Sequence, residues 1–126
     1  MEFFREQPCR CRPEDLQERL RIDNLPVWCG SVERVLEAQG ESGRVWTVWG
    51  EFAIRREAAC RGVRFTLPGC PNALQWTVTV EPAAGDQVLR VHLTINQKTH
   101  EADFIESLEA FVEQTCAGAL SLVSLP

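Results

Sequence analysis

A chain of 126 residues and 14.2 kDa is sized for one domain. Hydrophobic residues make up 44% and charged residues 25%, which excludes a disordered tail, a collagen-like chain and a disulfide-dense miniprotein. Thirteen basic against eighteen acidic side chains leave a net charge of −5, the wrong sign for a nucleic-acid binder.

No apolar run approaches the ~18 residues that suggest a membrane span. The opening residues, MEFFREQPCRCRPEDL, lack the apolar segment of a signal peptide. The expectation is therefore a cytoplasmic protein with no membrane span and no nucleic-acid partner, either monomer or homodimer. Charge is unevenly placed. Residues 1–64 hold 11 basic and 11 acidic side chains, whereas residues 65–126 hold only Arg90 and Lys98 against seven acids. Five of these, Glu101, Asp103, Glu106, Glu109 and Glu113, have the spacing of a solvated helix face.

The six cysteines are Cys9, Cys11, Cys29, Cys60, Cys70 and Cys116. Without a signal peptide they read as reduced thiols rather than disulfides. Cys9-x-Cys11 lacks the two-residue spacer of a zinc knuckle, and His92 and His100 are the only histidines, so no metal or other cofactor is expected.

Taken in chain order, residues 2–9 read as a short strand with Phe3 and Phe4 as its apolar content. Pro13, with Glu14 and Asp15 beside it, starts a short helix whose Leu16 and Leu20 form one narrow buried stripe. Asn24 and Pro26 end it. From Ser31 to Glu37 the period changes to two. The turn cluster Gln39–Gly43 follows, then one long strand from Val45 to Arg56. Its even positions, Trp46, Val48, Gly50, Phe52 and Ile54, are expected to face inward, with Gly50 marking a bulge or bend.

A turn over residues 59–62 leads to Val63, Phe65 and Leu67. Pro68 to Asn72 then breaks the chain. Leu74, Trp76, Val78 and Val80 make the cleanest strand, and a hairpin loop over residues 82–87 leads to Leu89, Val91, Leu93 and Ile95. One apolar and one polar face imply an antiparallel sheet covered on a single side. The cover is a helix from about His100 to Val123, carrying Phe104, Ile105, Leu108, Phe111, Val112, Cys116, Ala119 and Leu120 at helical spacing. Thr99 is placed to cap it, and Gly118 is a candidate early stop. A helix of about 20 residues is roughly 30 Å long, matched by a sheet of about six strands, ~24 Å wide, lying across it.

The order of elements resembles the helix-grip fold of the START-like, or SRPBCC, superfamily, which includes polyketide cyclases and plant allergen-type ligand carriers. Arg12-Pro13-Glu14-Asp15-Leu16 resembles the start of that family's first helix. Leu25-Pro26-Val27-Trp28 is similar to its Leu-Pro-x-Trp segment, and Ser31 to Val35 to the strand after it. The run from Leu74 to Pro82 is similar to its strand before the last hairpin. The resemblance implies an α+β, helix-grip domain over residues 1–126: a curved antiparallel sheet of about six strands wrapped around a long C-terminal helix, with a short N-terminal helix.

In such a fold a cavity can lie between sheet and helix. The inward faces that would line it are Trp46, Phe52, Phe65, Trp76, Leu93, Phe104, Leu108, Phe111 and Val112, and they suit either a filled core or a pocket for a hydrophobic or aromatic small molecule. Arg34 and Arg56 are candidate anchors for a ligand carboxylate or phenolate at its mouth. No catalytic set stands out, so binding without catalysis is the first reading. The resemblance also allows a cyclase or aromatase, for which Arg34, Arg56 and His92 would supply the chemistry. A protein-interaction module with a filled core is the third reading, with Trp28 and Trp49 as its exposed anchors.

Overall fold

A computed structural model describes residues 1–84, 86–96 and 101–124. The elements are β1 (Glu2–Cys9), α1 (Pro13–Arg19), α2 (Leu25–Trp28), β2 (Val32–Gln39), β3 (Ser42–Thr47), β4 (Gly50–Ala59), β5 (Gly62–Thr66), β6 (Gln75–Ala83), β7 (Asp86–Thr94) and α3 (Ala102–Val123). All strands join one antiparallel sheet in the order β1-β7-β6-β5-β4-β3-β2. The sheet curves around α3, with α1 and α2 beside the helix.

The sheet has seven strands where about six are expected. Val45–Arg56 is not one strand but a hairpin, with Thr47 paired to Gly50 and Val48-Trp49 as its two-residue tip. Gly50, at φ +125°, takes a backbone conformation that a side chain would resist. Thr47 Oγ1 closes the turn, accepting from Trp49 N at 3.1 Å and donating to the Gly50 carbonyl at 2.9 Å. Joining position 47 to position 50 switches the inward parity from odd to even. Val45 and Thr47 are therefore buried, and Trp46 lies on the outer face, 41% exposed, against the expectation that it points inward.

Asp15 accepts from Arg12 N at 2.8 Å at the start of α1, while Leu16 and Leu20 are fully buried. The segment at Leu25–Trp28 is a single helical turn, and its Trp28 is buried with Nε1 donating to Asn24 Oδ1 at 2.8 Å. Trp28 is thus a core residue rather than an exposed anchor.

α3 runs through Gly118 to Val123, so this glycine does not stop it. Its role is close approach: a Cβ there would lie 2.1 Å from the Trp28 carbonyl oxygen, and only its absence lets α2 lie against α3. Gly30 N donates to the buried Thr115 Oγ1 at 2.9 Å and fixes the same junction. At 1.5 Å per residue the 22 residues of α3 span about 33 Å, and seven strands span about 29 Å. The five helix acids are all exposed, as their spacing implies. Thr99 and His100 lie outside the described residues; the helix N-cap is Glu101.

The core is largely aromatic. Phe65 stacks on Trp76 at 5.5 Å, Trp28 tilts against Phe65 at 5.5 Å, and Phe111 meets Trp76 edge-on at 5.0 Å. Trp76 Nε1 is a buried donor without a hydrogen-bond partner among the described residues. Cys9, Cys11, Cys29 and Cys116 are buried thiols. Burial, and then the neighbouring Cys9, push Cys11 from the ordinary 9.0 to about 12, and burial raises Cys116 to about 11. Burial likewise raises Cys29, opposed by the Thr115 hydroxyl.

Candidate functional site

A half-open cavity of about 550 Å³ lies where the β3–β4 hairpin, the β5–β6 connection and the first turn of α3 meet. The hairpin contributes Trp49, Gly50, Glu51 and Phe52. The connection contributes Leu67, Cys70, Pro71, Asn72 and Leu74, and the helix contributes Phe104.

Each wall is held by the chain itself. The connection folds into two successive turns, with Cys70 N donating to the Leu67 carbonyl at 3.0 Å and Ala73 N to the Cys70 carbonyl at 2.9 Å. Leu67 N closes it on the Leu74 carbonyl at 3.2 Å, and Asn96 N ties the Asn72 carbonyl to the end of β7 at 2.9 Å. Ala73, at φ +49°, sits in the left-handed region between two lining residues, a strained conformation for a residue with a Cβ.

On the opposite wall, Trp49 Nε1 donates to Ser107 Oγ at 3.1 Å, and Ser107 donates to the Phe104 carbonyl at 2.6 Å. The indole lies edge-on to Phe104 at 6.4 Å and tilted against Phe111 at 5.7 Å. Val48 N donates to the Ser31 carbonyl at 3.0 Å, so the hairpin tip is fastened at both ends. The lining is apolar apart from Glu51, Cys70 and Asn72, and the Glu51 carboxylate lies outside the hairpin, 2.9 Å from Arg44.

The expected lining divides sharply. Phe52 and Phe104 reach the cavity. Phe65, Trp76, Leu93, Leu108, Phe111 and Val112 are 4% exposed or less and pack the core, so they fill space rather than enclose it. Trp46 is outside, for the parity reason given above. Arg34 is exposed on the edge strand β2.

Arg56 does turn inward, yet away from the cavity. Its Nε donates to the Leu20 carbonyl at 2.7 Å, and its terminal nitrogens serve the Gln17 carbonyl and the Glu41 carboxylate at 2.9 Å. All three of its nitrogens are engaged in pinning α1 to the β2–β3 turn, which leaves none for a ligand. His92 lies on the outer face of β7, 3.0 Å from Glu2 and stacked at 4.2 Å on Phe4. None of the three side chains named for a cyclase or aromatase lines the cavity. Among the described residues no group of three or more His, Cys, Asp or Glu side chains is placed to hold a metal.

Sequence reasoning missed Trp49, the Leu67–Leu74 wall and Cys70. The available signal was Gly50: read as the close of a two-residue hairpin, it places Trp49 at a tip that folds back toward the helix. The breaker run Pro68–Asn72 carried no sign that it forms a wall.

No family model matches the sequence, and no curated protein matches it. Solved structures do match in three dimensions. Ara h 8.0201 superposes with a TM-score of 0.63 at 14% identity, over 98% of this chain and 97% of that one. A START superfamily protein from Mycobacterium smegmatis gives 0.55 at 12%, over 90% and 97%. The di-domain ARO/CYC protein StfQ of the steffimycin biosynthetic pathway gives 0.58 at 15%, over 97% of this chain and 49% of that one. At these identities the likeness is one of fold. Seven curved antiparallel strands gripping a 22-residue C-terminal helix, with a short helix at the N-terminal side, give the chain a helix-grip fold, which it shares with these structures.

Proposed function

We propose that this protein binds an apolar or aromatic small molecule in the cavity between the hairpin tip, the β5–β6 connection and the start of α3. The observation that carries the reading is the cavity itself: about 550 Å³, walled by Trp49, Phe52, Leu67, Leu74 and Phe104, and held open by hydrogen bonds within its own walls. Ligand pockets are typically about 300–1,000 Å³, mostly apolar and pre-formed, with a few polar groups that orient the guest. Asn72 and Cys70 are placed for that part. The reading is binding without catalysis. It keeps the chain in the cytoplasm, where its six thiols stay reduced. No helix among the described residues is long and apolar enough to cross a membrane.

The test is a thermal-shift and tryptophan-fluorescence screen of quinones, fatty acids and polycyclic aromatics. A binder is expected to raise the melting temperature and to perturb tryptophan emission through Trp49. Phe104→Ala is expected to weaken that binder about tenfold while the empty protein melts within a few degrees of wild type. A screen without a single stabilising compound, or a binder indifferent to Phe104→Ala, would overturn the reading.

A further inference from the structure

The two edges of the sheet treat their charges differently. On β1 every charged side chain has a partner within the chain. Glu2 lies 3.0 Å from His92, Glu6 lies 3.0 Å from Arg90, and Arg5 lies 3.3 Å from Glu113. On interior strands Arg44 lies 2.9 Å from Glu51 and Arg64 3.5 Å from Glu57, while among the described residues the exposed Arg55 has no ion-pair partner. The edge strand β2 differs from β1. Its Glu33, Arg34 and Glu37 are exposed, and among the described residues none of them has an ion-pair partner. Leu36, between them, is 43% exposed, and Trp46, opposite Arg34 on the next strand, is 41% exposed.

Bulges give this edge an unusual symmetry. The pairing of β2 with β3 slips between Val32 and Arg34 and again between Val35 and Glu37. In a regular strand two residues three apart face opposite sides. Here Arg34 pairs with Trp46 and Glu37 with Arg44, so the second slip brings both onto the outer face. The midpoint between these opposite charges falls between Val35 and Leu36.

We propose that the β2 edge is a homodimer contact, in which a second copy of the chain docks antiparallel through its own β2. A two-fold axis between Val35 and Leu36 sets Arg34 of each copy against Glu37 of the other, so one complementary pair is made twice. In that register Glu33 falls opposite Ala38, and no like charges meet. Leu36 of each copy falls opposite Val35 of the other beside the axis, with Arg34 and Trp46, residue types that anchor interfaces, next to it. The strand is complementary to itself, which is why a second copy is the partner it fits. Because the bulges interrupt the backbone ladder, side chains carry the contact and the dimer is a weak one.

Sedimentation equilibrium of the full chain over a range of concentrations and salt tests this. The expected result is a concentration-dependent dimer that added salt weakens. Arg34→Glu and Glu37→Arg should each weaken it about tenfold or more, and the double variant should recover it, because the swap restores both pairs in reversed sense. All positions are exposed, and unchanged thermal melts show that each variant folds. A wild-type protein that stays monomeric, a dimer indifferent to either reversal, or single losses that the double variant fails to recover would overturn the proposal.

Discussion

Beneath the middle of α3, aromatic rings pack against one another without space between them; beneath its first turn, rings of the same kinds stand around a cavity. Trp28, Phe65, Trp76 and Phe111 form the closed region, and Trp49, Phe52 and Phe104 form the open one. Trp49 belongs to both, since one of its contacts is Phe111. Hydrophobic content does not distinguish the two regions. The difference is a third element. In the closed region α2 inserts Trp28 between sheet and helix, and Gly118 admits it. In the open region only a hairpin tip and a loop approach the helix, and each is tied back to its own neighbours. A pocket here is the consequence of what fails to fill the end of the grip.

The sharpest way to break this comparison is to cut one ring from each region. Phe111→Ala is expected to cost about 3–5 kcal/mol, because a fully buried ring leaves a cavity that its neighbours cannot close. Phe52→Ala, at a half-buried position on the cavity wall, is expected to cost about 1 kcal/mol. Urea denaturation measures both, and equal losses would erase the distinction.

Arg56→Met comes next, at about 2–3 kcal/mol, since it strands the Leu20 and Gln17 carbonyls and the Glu41 carboxylate. Ligand affinity in the cavity is expected to stay within twofold of wild type. A large loss of affinity instead would return Arg56 to the site.

Gly118→Ala is expected to cost roughly 1–3 kcal/mol by forcing α2 away from α3. Its signature is a change in the near-ultraviolet spectrum of Trp28, and a neutral substitution would show that this junction does not close the core.

The buried thiols predict a milder effect of pH. The folded values of Cys11 and Cys116, about 12 and about 11, lie above the ordinary 9.0. Below 9 both states keep their protons and the contribution is constant. As the pH rises past 9 the unfolded chain releases protons that the folded chain retains, so folding weakens until the folded values are reached. Melting temperature is expected to fall between pH 9 and pH 11, and to fall less in Cys116→Ala. The smallest change expected is Trp46→Ser, within about 0.5 kcal/mol, because the indole is outside both regions. A larger loss would mean that the outer face helps to hold the hairpin.

Much of the fold was legible because its signals are periodic. Residues 74–95 alternate so regularly that they mark β6 and β7, although both strands run on into the loop expected over residues 82–87, where Pro82 pairs with Gln87 and Ala83 with Asp86; the acids of α3 mark its solvent face without reference to any contact. The hairpin at Val48-Trp49 was not legible. Two-residue turns announce themselves through Asn, Asp or Gly at the tip, and here two large apolar residues occupy it, with Gly50 only following. That single misreading placed Trp46 inside and left Trp49 on the outward side. Arg56 was legible as inward but not as spoken for, because its three partners lie 15 or more residues away.

Patterning, caps and composition determined by themselves that this chain makes a one-sided antiparallel sheet and a long amphipathic helix to cover it. They act over a few residues, and so they are written locally. Which aromatic rings touch and which stand apart was decided only when α2 met α3 at Gly118 and the hairpin tip reached Ser107. Those meetings join residues 58 or more positions apart, and whether two distant surfaces close on each other depends on shapes that no single segment carries.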